Sequence, residues 1–194
     1  MKLSKMTIRT GIFSALLVSY AFAGKAQQSA PAASSKQEFR LSVGPEAGIP
    51  LGDFRNGYNW NFGGSVQADI PVVQNLFVTV NAGYNNFFVK KDQTDFVDKN
   101  LQLIPVKAGL KYFPVGDLFY VQGEAGASFL ANKSDVLANK STAFVYAPQV
   151  GVLLKLAPKN YIDIGIRFEG TSSFYDGGSS NNFLGLRVAY SFGL

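Results

Sequence analysis

The sequence predicts an all-β protein, an eight-stranded antiparallel up-and-down transmembrane β-barrel. Three observations carry that prediction. Apolar residues alternate with polar or small ones at period two through eight successive segments of a 194-residue chain. The connections between segments alternate between short and long. The chain also opens with a basic, apolar, small-residue run of the kind that directs export.

The opening run comes first. Lys2, Lys5 and Arg9 precede the stretch Gly11 to Ala23, about 13 residues long and short of the roughly 20 that a spanning helix needs. Small residues follow at cleavage spacing, Ala21-Phe22-Ala23 or Gly24-Lys25-Ala26. Residues 1–26 therefore read as a cleaved signal peptide, and without cysteine no lipid anchor is attached. Removing it takes away four bases and no acid. A net charge of +5 becomes +1, and the apparent basicity that suggests an anionic partner disappears. Residues 27–37, QQSAPAASSKQ, have no apolar period and read as a disordered linker.

Residues 38–194 form the barrel domain. The first segment sets Phe39, Leu41, Val43, Ala47, Ile49 and Leu51 on one face and Arg40, Ser42, Gly44, Glu46 and Gly48 on the other. The second sets Tyr58, Trp60, Phe62, Val66, Ala68 and Ile70 against Asn59, Asn61, Gly63, Ser65, Gln67 and Asp69. The third opposes Leu76, Val78, Val80, Ala82 and Tyr84 to Phe77, Thr79, Asn81, Gly83 and Asn85. In the fourth, Ile104, Val106, Ala108, Leu110 and Tyr112 oppose Pro105, Lys107, Gly109 and Lys111. The fifth pairs Phe119, Val121, Ala125, Ala127 and Phe129 with Tyr120, Gln122, Glu124, Gly126 and Ser128. In the sixth, Phe144, Tyr146, Val150, Val152, Leu154 and Leu156 oppose Gln149, Gly151 and Lys155. The seventh sets Ile162, Ile164, Ile166 and Phe168 against Tyr161, Asp163, Gly165, Arg167 and Glu169. The eighth sets Leu184, Leu186, Val188, Tyr190, Phe192 and Leu194 against Gly185, Arg187, Ala189, Ser191 and Gly193.

Tight turns fall at Pro71–Gln74, Pro114–Asp117 and Ala157–Asn160. Longer connections fall at Gly52–Gly57, Asn86–Asn100, Leu130–Thr142 and Thr171–Asn182. That asymmetry, with the short side periplasmic, belongs to bacterial outer-membrane barrels.

A soluble barrel alternates too, with its apolar face inward. Three features favour the opposite orientation. The polar face is rich in glycine, as a crowded lumen requires. Its charges nearly balance: Arg40, Lys107, Lys111, Lys155, Arg167 and Arg187 against Glu46, Asp69, Glu124, Asp163 and Glu169. Mirroring the strands about their turns puts Lys107 opposite Glu124 and Lys155 opposite Asp163, so buried charges find partners. Aromatics gather at strand ends as two interface belts. Tyr112, Phe113, Phe119, Tyr161, Tyr190 and Phe192 fall at the turn end. Tyr58, Trp60, Tyr84, Phe87, Phe129, Phe144, Tyr146, Phe168 and Phe183 fall at the loop end.

Over residues 38–194 the chain resembles the bacterial outer-membrane β-barrel domain family, small OmpA/OmpX-like barrels of the porin family. The resemblance rests on Val43-Gly-Pro-Glu-Ala-Gly-Ile-Pro-Leu-Gly-Asp-Phe54, Ile104-Pro-Val-Lys-Ala-Gly-Leu-Lys-Tyr-Phe113 and the terminal Leu186-Arg-Val-Ala-Tyr-Ser-Phe192. Such barrels often end in an aromatic residue read by the insertion machinery; here the last residue is Leu194, with Phe192 and Tyr190 before it.

The resemblance implies an integral outer-membrane protein, monomeric, in contact with outer-membrane lipid and lipopolysaccharide and handled by the barrel-insertion machinery. Its implied role is structural or surface-interacting: envelope integrity, adhesion, or service to an export assembly, with a protein partner at the longer loops. Enzymes among such barrels use a histidine, and this chain has none. The absence of both histidine and cysteine also removes Ser-His and Cys-His hydrolase chemistry and thiolate zinc sites. A carboxylate pair among Glu46, Glu124, Asp163 and Glu169 is better read as neutralising basic neighbours. No catalytic residue, cofactor, metal or nucleic-acid site is therefore expected. Eight strands leave a lumen just filled by side chains. The competing readings are a narrow channel for small solutes and a soluble periplasmic ligand-binding barrel.

The loops contain a duplicated Leu-Ala-Asn-Lys-Ser, at 130–134 and 137–141, whose two sequons read as chance. They also hold the mixed-charge set Lys90, Lys91, Asp92, Asp95, Asp98 and Lys99, and the aromatic-then-flexible stretch 174–180.

Overall fold

The computed structural model describes residues 37–90, 99–132, 140–174 and 178–194. The expected signal peptide, nearly all of the expected linker, and the loop features within 91–98, 133–139 and 175–177 lie outside the described residues.

The alternating segments form eight strands: β1 (Arg40–Leu51), β2 (Tyr58–Val73), β3 (Leu76–Val89), β4 (Leu101–Val115), β5 (Phe119–Leu130), β6 (Thr142–Ala157), β7 (Asn160–Thr171) and β8 (Asn181–Gly193). Each pairs antiparallel with the next, and β8 returns to β1 through a ladder from Arg40–Gly193 to Leu51–Asn182, so the sheet closes and leaves no edge. Between β1 and β2 lies a four-residue helix, α1 (Phe54–Gly57), too short for a period of 3.6 to show in the sequence. At two of the three tight turns, Asn75 and Gly116 take left-handed backbone conformations (φ 66° and 59°), which asparagine and glycine tolerate.

Burial is inverted relative to a water-soluble protein. Polar or charged residues make up 22 of the described buried positions and hydrophobic ones 15, while the large aliphatic and aromatic residues of the alternate parity are exposed. An apolar exterior of this extent suits lipid and would aggregate in water.

Two mirrored pairings are corrected by the ladders. Lys107 lies opposite Gly126, and Glu124 opposite Gly109; the turn is centred on Asp117, not on Val115–Gly116, and a register irregularity falls between Tyr112 and Val115, so the pairing lies two residues along. Lys155 lies opposite Tyr161, and Asp163 opposite Leu153, with a second irregularity between Lys155 and Ala157. Turns with bulges do not reflect their strands symmetrically.

Glycines make room inside. A Cβ on Gly151 would stand 2.4 Å from the Tyr120 ring, and one on Gly165 would stand 2.7 Å from its hydroxyl and 2.4 Å from Gln149 Nε2. The largest uncharged polar side chain of the lumen lies over this bare backbone.

Candidate functional site

The lumen is built in layers. At the turn end Arg40 enters from the first residue of β1. Its guanidinium lies 4.2 Å from the centre of the Phe77 ring, 5.4 Å from Phe113 and 5.6 Å from Tyr161. Phe77, Phe113, Tyr120 and Leu153 pack together there, with Tyr161 against them. This aromatic floor holds a cation by its ring faces.

Above it lies an unbroken run of charges of alternating sign. Lys111 Nζ lies 3.0 Å from Asp69 and 2.7 Å from Asp163. Arg187 reaches Asp163 at 3.7 Å and Glu46 at 3.5 Å. Glu46 takes both outer nitrogens of Arg167, whose Nε lies 3.2 Å from Glu169. Lys107 joins Glu169 at 2.5 Å to Glu124 at 3.9 Å. The run therefore reads Asp69, Lys111, Asp163, Arg187, Glu46, Arg167, Glu169, Lys107, Glu124. It begins beside Arg40, the cross-strand neighbour of Asp69. Including Arg40, five bases meet five acids among the described buried residues, and the interior is neutral.

Neutral groups satisfy several of the remaining valences. Tyr120 donates to Asp163 at 2.5 Å and receives Gln149 at 2.7 Å. Ser65 donates to Glu46 at 2.5 Å, while Arg187 donates to Ser65 and Ser42, each at 2.9 Å. Thr79 donates to Glu124 at 2.9 Å, and Gln67 donates to Asp69 at 2.6 Å. The Gln67 amide also meets Gln122 at 3.2 Å and Asn81 at 3.1 Å. Charged hydrogen bonds of this kind are the strong ones, and a satisfied network rigidifies what it spans.

The loop end is closed by Phe54, Phe87, Leu101, Leu103, Leu130, Ala143, Phe174 and Phe183, with Tyr58 packed against them. Phe54 comes from α1, so the short helix caps the mouth.

Of the charges assigned to the lumen, Arg40, Glu46, Lys107, Lys111, Glu124, Asp163, Arg167, Glu169 and Arg187 are buried there. Lys155 is not. It lies near the turn end of β6, next to a register irregularity, and is exposed. Its departure removes the one unmatched base from the sequence count.

Of the aromatics assigned to interface belts, Trp60, Tyr84, Tyr112, Phe119, Phe129, Phe144, Tyr146 and Tyr190 are exposed on the outer face. Phe168 and Phe192 are half-buried beside Tyr146 and Tyr190, at 6.0 and 6.5 Å between rings. Phe183 and Tyr161 are corrections. Both share the parity of inward residues on their strands, Arg187 and Asp163, and pack inside. Phe87 and Phe113 turn inward in the same way. Tyr58 is a third correction: a register irregularity between Tyr58 and Trp60 turns it toward the plug. Tyr120, the uncharged hub of the network, was not singled out from sequence, although its parity places it inside.

Each carboxylate considered for acid–base work has a cation against it. Among the described residues no group of three or more histidine, cysteine, aspartate or glutamate side chains is placed to hold a metal ion.

The family description "Outer membrane protein beta-barrel domain" matches residues 14–192. No curated protein matches the chain. Among solved structures, the fold is similar to the outer membrane protein OprG of Pseudomonas aeruginosa (11% identity, 81% of this chain and 95% of that one, TM-score 0.53). It is also similar to Ail of Yersinia pestis in a phospholipid bilayer nanodisc (16%, 81% and 100%, 0.53). A third likeness is to Neisserial surface protein A (15%, 79% and 94%, 0.52).

Proposed function

This chain belongs to the outer membrane protein β-barrel domain family and resides in the outer membrane; from that premise we propose that its role is structural or surface-interacting, with a lumen that neither conducts nor catalyses. The observation that carries the reading is the alternating run of buried charges between two aromatic closures. A conducting lumen needs mobile, hydrated groups. Here each charge of the run is held by at least one opposite charge on another strand. The network acts as an internal brace, and the outward aromatics anchor the barrel at the two interfaces.

The same reading assigns work to the loop end. Envelope integrity, adhesion or service to an export assembly would act there, through the longer connections. Residues 1–26 act as the export signal, removed from the mature protein, and residues 27–37 act as a linker retained in it. Lipopolysaccharide surrounds the loop end, the barrel-insertion machinery assembles the protein, and it works as a monomer. Among the described residues each buried carboxylate has a cation against it, and the sequence supplies no histidine to act as a general base instead.

Single-channel recording in planar bilayers tests the reading. The filled lumen is expected to give no stable open state; a steady ohmic conductance overturns it in favour of a narrow channel.

A further inference from the structure

The turn-end mouth carries a base that the rest of the chain leaves unmatched. Arg40 is 8% exposed, and its Nε and Nη2 are buried without a hydrogen-bond partner. Three rings hold its guanidinium, and among the described residues no carboxylate stands within ion-pair distance of it. Asp69, its cross-strand neighbour, is taken by Lys111 and Gln67. Ser191 precedes by two residues Gly193, the partner of Arg40 on β8, and it too is buried with its hydroxyl unpartnered. Nε and Nη2 are not an arbitrary pair. Their N–H bonds run parallel along one edge of the guanidinium, the fork that takes both oxygens of a carboxylate side-on.

The chain just ahead of Arg40 covers this mouth. Gln37 donates to Asn75 Oδ1 on the β2–β3 turn at 3.4 Å, and Glu38 lies 3.7 Å from Lys159 on the β6–β7 turn. In a closed ring of eight strands those two turns stand on opposite sides, so residues 37–39 cross the mouth as a strap. The Glu38 carboxylate rests over Gly193, where a Cβ would stand 2.5 Å from Oε2, and Phe39 O accepts from Leu194 N at 2.9 Å. The two ties across the mouth are light. One is a long amide hydrogen bond, and the other is an ion pair whose side chains are 55% and 36% exposed. The strap therefore lifts at little cost, and Glu38, the acid nearest to Arg40 along the chain, is already committed to Lys159.

We propose that the turn-end mouth binds a small monocarboxylate, taken side-on by the Nε–H and Nη2–H of Arg40 beneath the Gln37–Phe39 strap. The ligand class follows from the fork and its surroundings. Two parallel donors match two carboxylate oxygens, and the aromatic floor around the guanidinium suits a short hydrocarbon body. A single negative charge fits best, because Asp69 stands across the ladder and the run beyond it already holds five acids to four bases. A phosphate dianion would meet more repulsion there. The short turns of such barrels face the periplasm, so the ligand arrives from that side. The inference concerns this mouth alone, so its failure leaves the filled-lumen reading untouched.

The arginine Nε–H resonances of the isotope-labelled mature protein in detergent micelles read the site. Beyond residue 26 the chain has four arginines, Arg40, Arg55, Arg167 and Arg187. Through-bond correlation to the backbone assigns each Nε–H without a variant, so a substitution that fails to fold leaves the test intact. Sodium acetate is titrated against sodium chloride at equal ionic strength. Acetate is expected to shift the Arg40 resonance saturably while Arg55, exposed on α1, stays in place. Chloride is expected to leave Arg40 unmoved. Glu38→Gln, which frees the strap from Lys159, is expected to tighten acetate binding several-fold, and Arg40→Lys, which keeps the charge without the fork, is expected to abolish acetate-induced shifts elsewhere in the mouth. The absence of a saturable shift at Arg40 overturns the proposal. A shift that follows ionic strength alike for acetate and chloride marks an adventitious ion only and overturns it as well. So does tighter binding of sodium phosphate than of acetate. Unchanged or weaker affinity in Glu38→Gln overturns the strap as the cover of the site.

Discussion

Lys107 Nζ on β4 lies 2.5 Å from Glu169 on β7, bridging residues 62 positions apart across the lumen. The same ammonium is the sole cation within ion-pair distance of Glu124 among the described contacts, and Glu124 ends the run. Lys107→Met should strand that carboxylate and cost about 3–5 kcal/mol, the usual cost of breaking one side of a buried pair. Lys107→Met with Glu124→Gln removes a whole pair from the end and should cost far less. Urea unfolding in lipid vesicles, followed by the heat-modifiable gel shift, checks both; equal costs would refute the alternating-run account.

Arg40 is held by ring faces, and its Nε and Nη2 find no hydrogen-bond partner. Arg40→Lys keeps the charge beside Asp69 but gives up the flat contact with Phe77. A loss of roughly 1–2 kcal/mol is expected in the same unfolding measurement. Phe77→Leu should produce a similar loss, and the two changes together should cost less than their sum.

Gly165 faces the Gln149 amide, which is pinned by its 2.7 Å bond to Tyr120. Gly165→Ala should therefore cost about 1–3 kcal/mol by overpacking. In a Gln149→Ala background the added methyl has room and the cost should fall, a coupling that a double-mutant cycle reads directly. Additive costs would mean that the glycine serves some other need.

Phe183 and Phe87 meet edge-on at 5.2 Å in the loop-end plug. Phe183→Ala should lower stability by about 3–5 kcal/mol through the cavity it leaves. It should still give a silent planar bilayer, because the ion-paired layers below remain in place. Steady conductance from this variant alone would place the barrier in the plug.

Strand number, orientation and the inward charges were legible because a strand has only two faces, and parity settles which one a residue joins. Position along a strand misleads where it conflicts with parity. Phe183 and Tyr161 stand at strand ends, where interface belts are expected, yet their strands turn them inward with Arg187 and Asp163. Tyr58 and Lys155 illustrate a different limit. Tyr58 sits beside a slip in the ladder that changes its facing and leaves no mark in an apolar–polar pattern, whereas Lys155 keeps inward parity opposite Tyr161 but stands at the turn end, where it is exposed. Contacts across the lumen, such as Lys107 with Glu169, depend on how the sheet curls and were not readable at all.

The run of charges also constrains how the barrel is built. β7 supplies Asp163, Arg167 and Glu169, three of its nine members, and they are what Lys107, Lys111, Glu46 and Arg187 wait for. In a sheet carrying only β1 to β6, Lys111 would keep Asp69 and Lys107 would keep Glu124, but Glu46 would have no cation, and an unpaired carboxylate is costly in lipid. Full pairing of the buried charges is therefore tied to closure of the sheet by the last hairpin, which alone supplies the cations for Glu46.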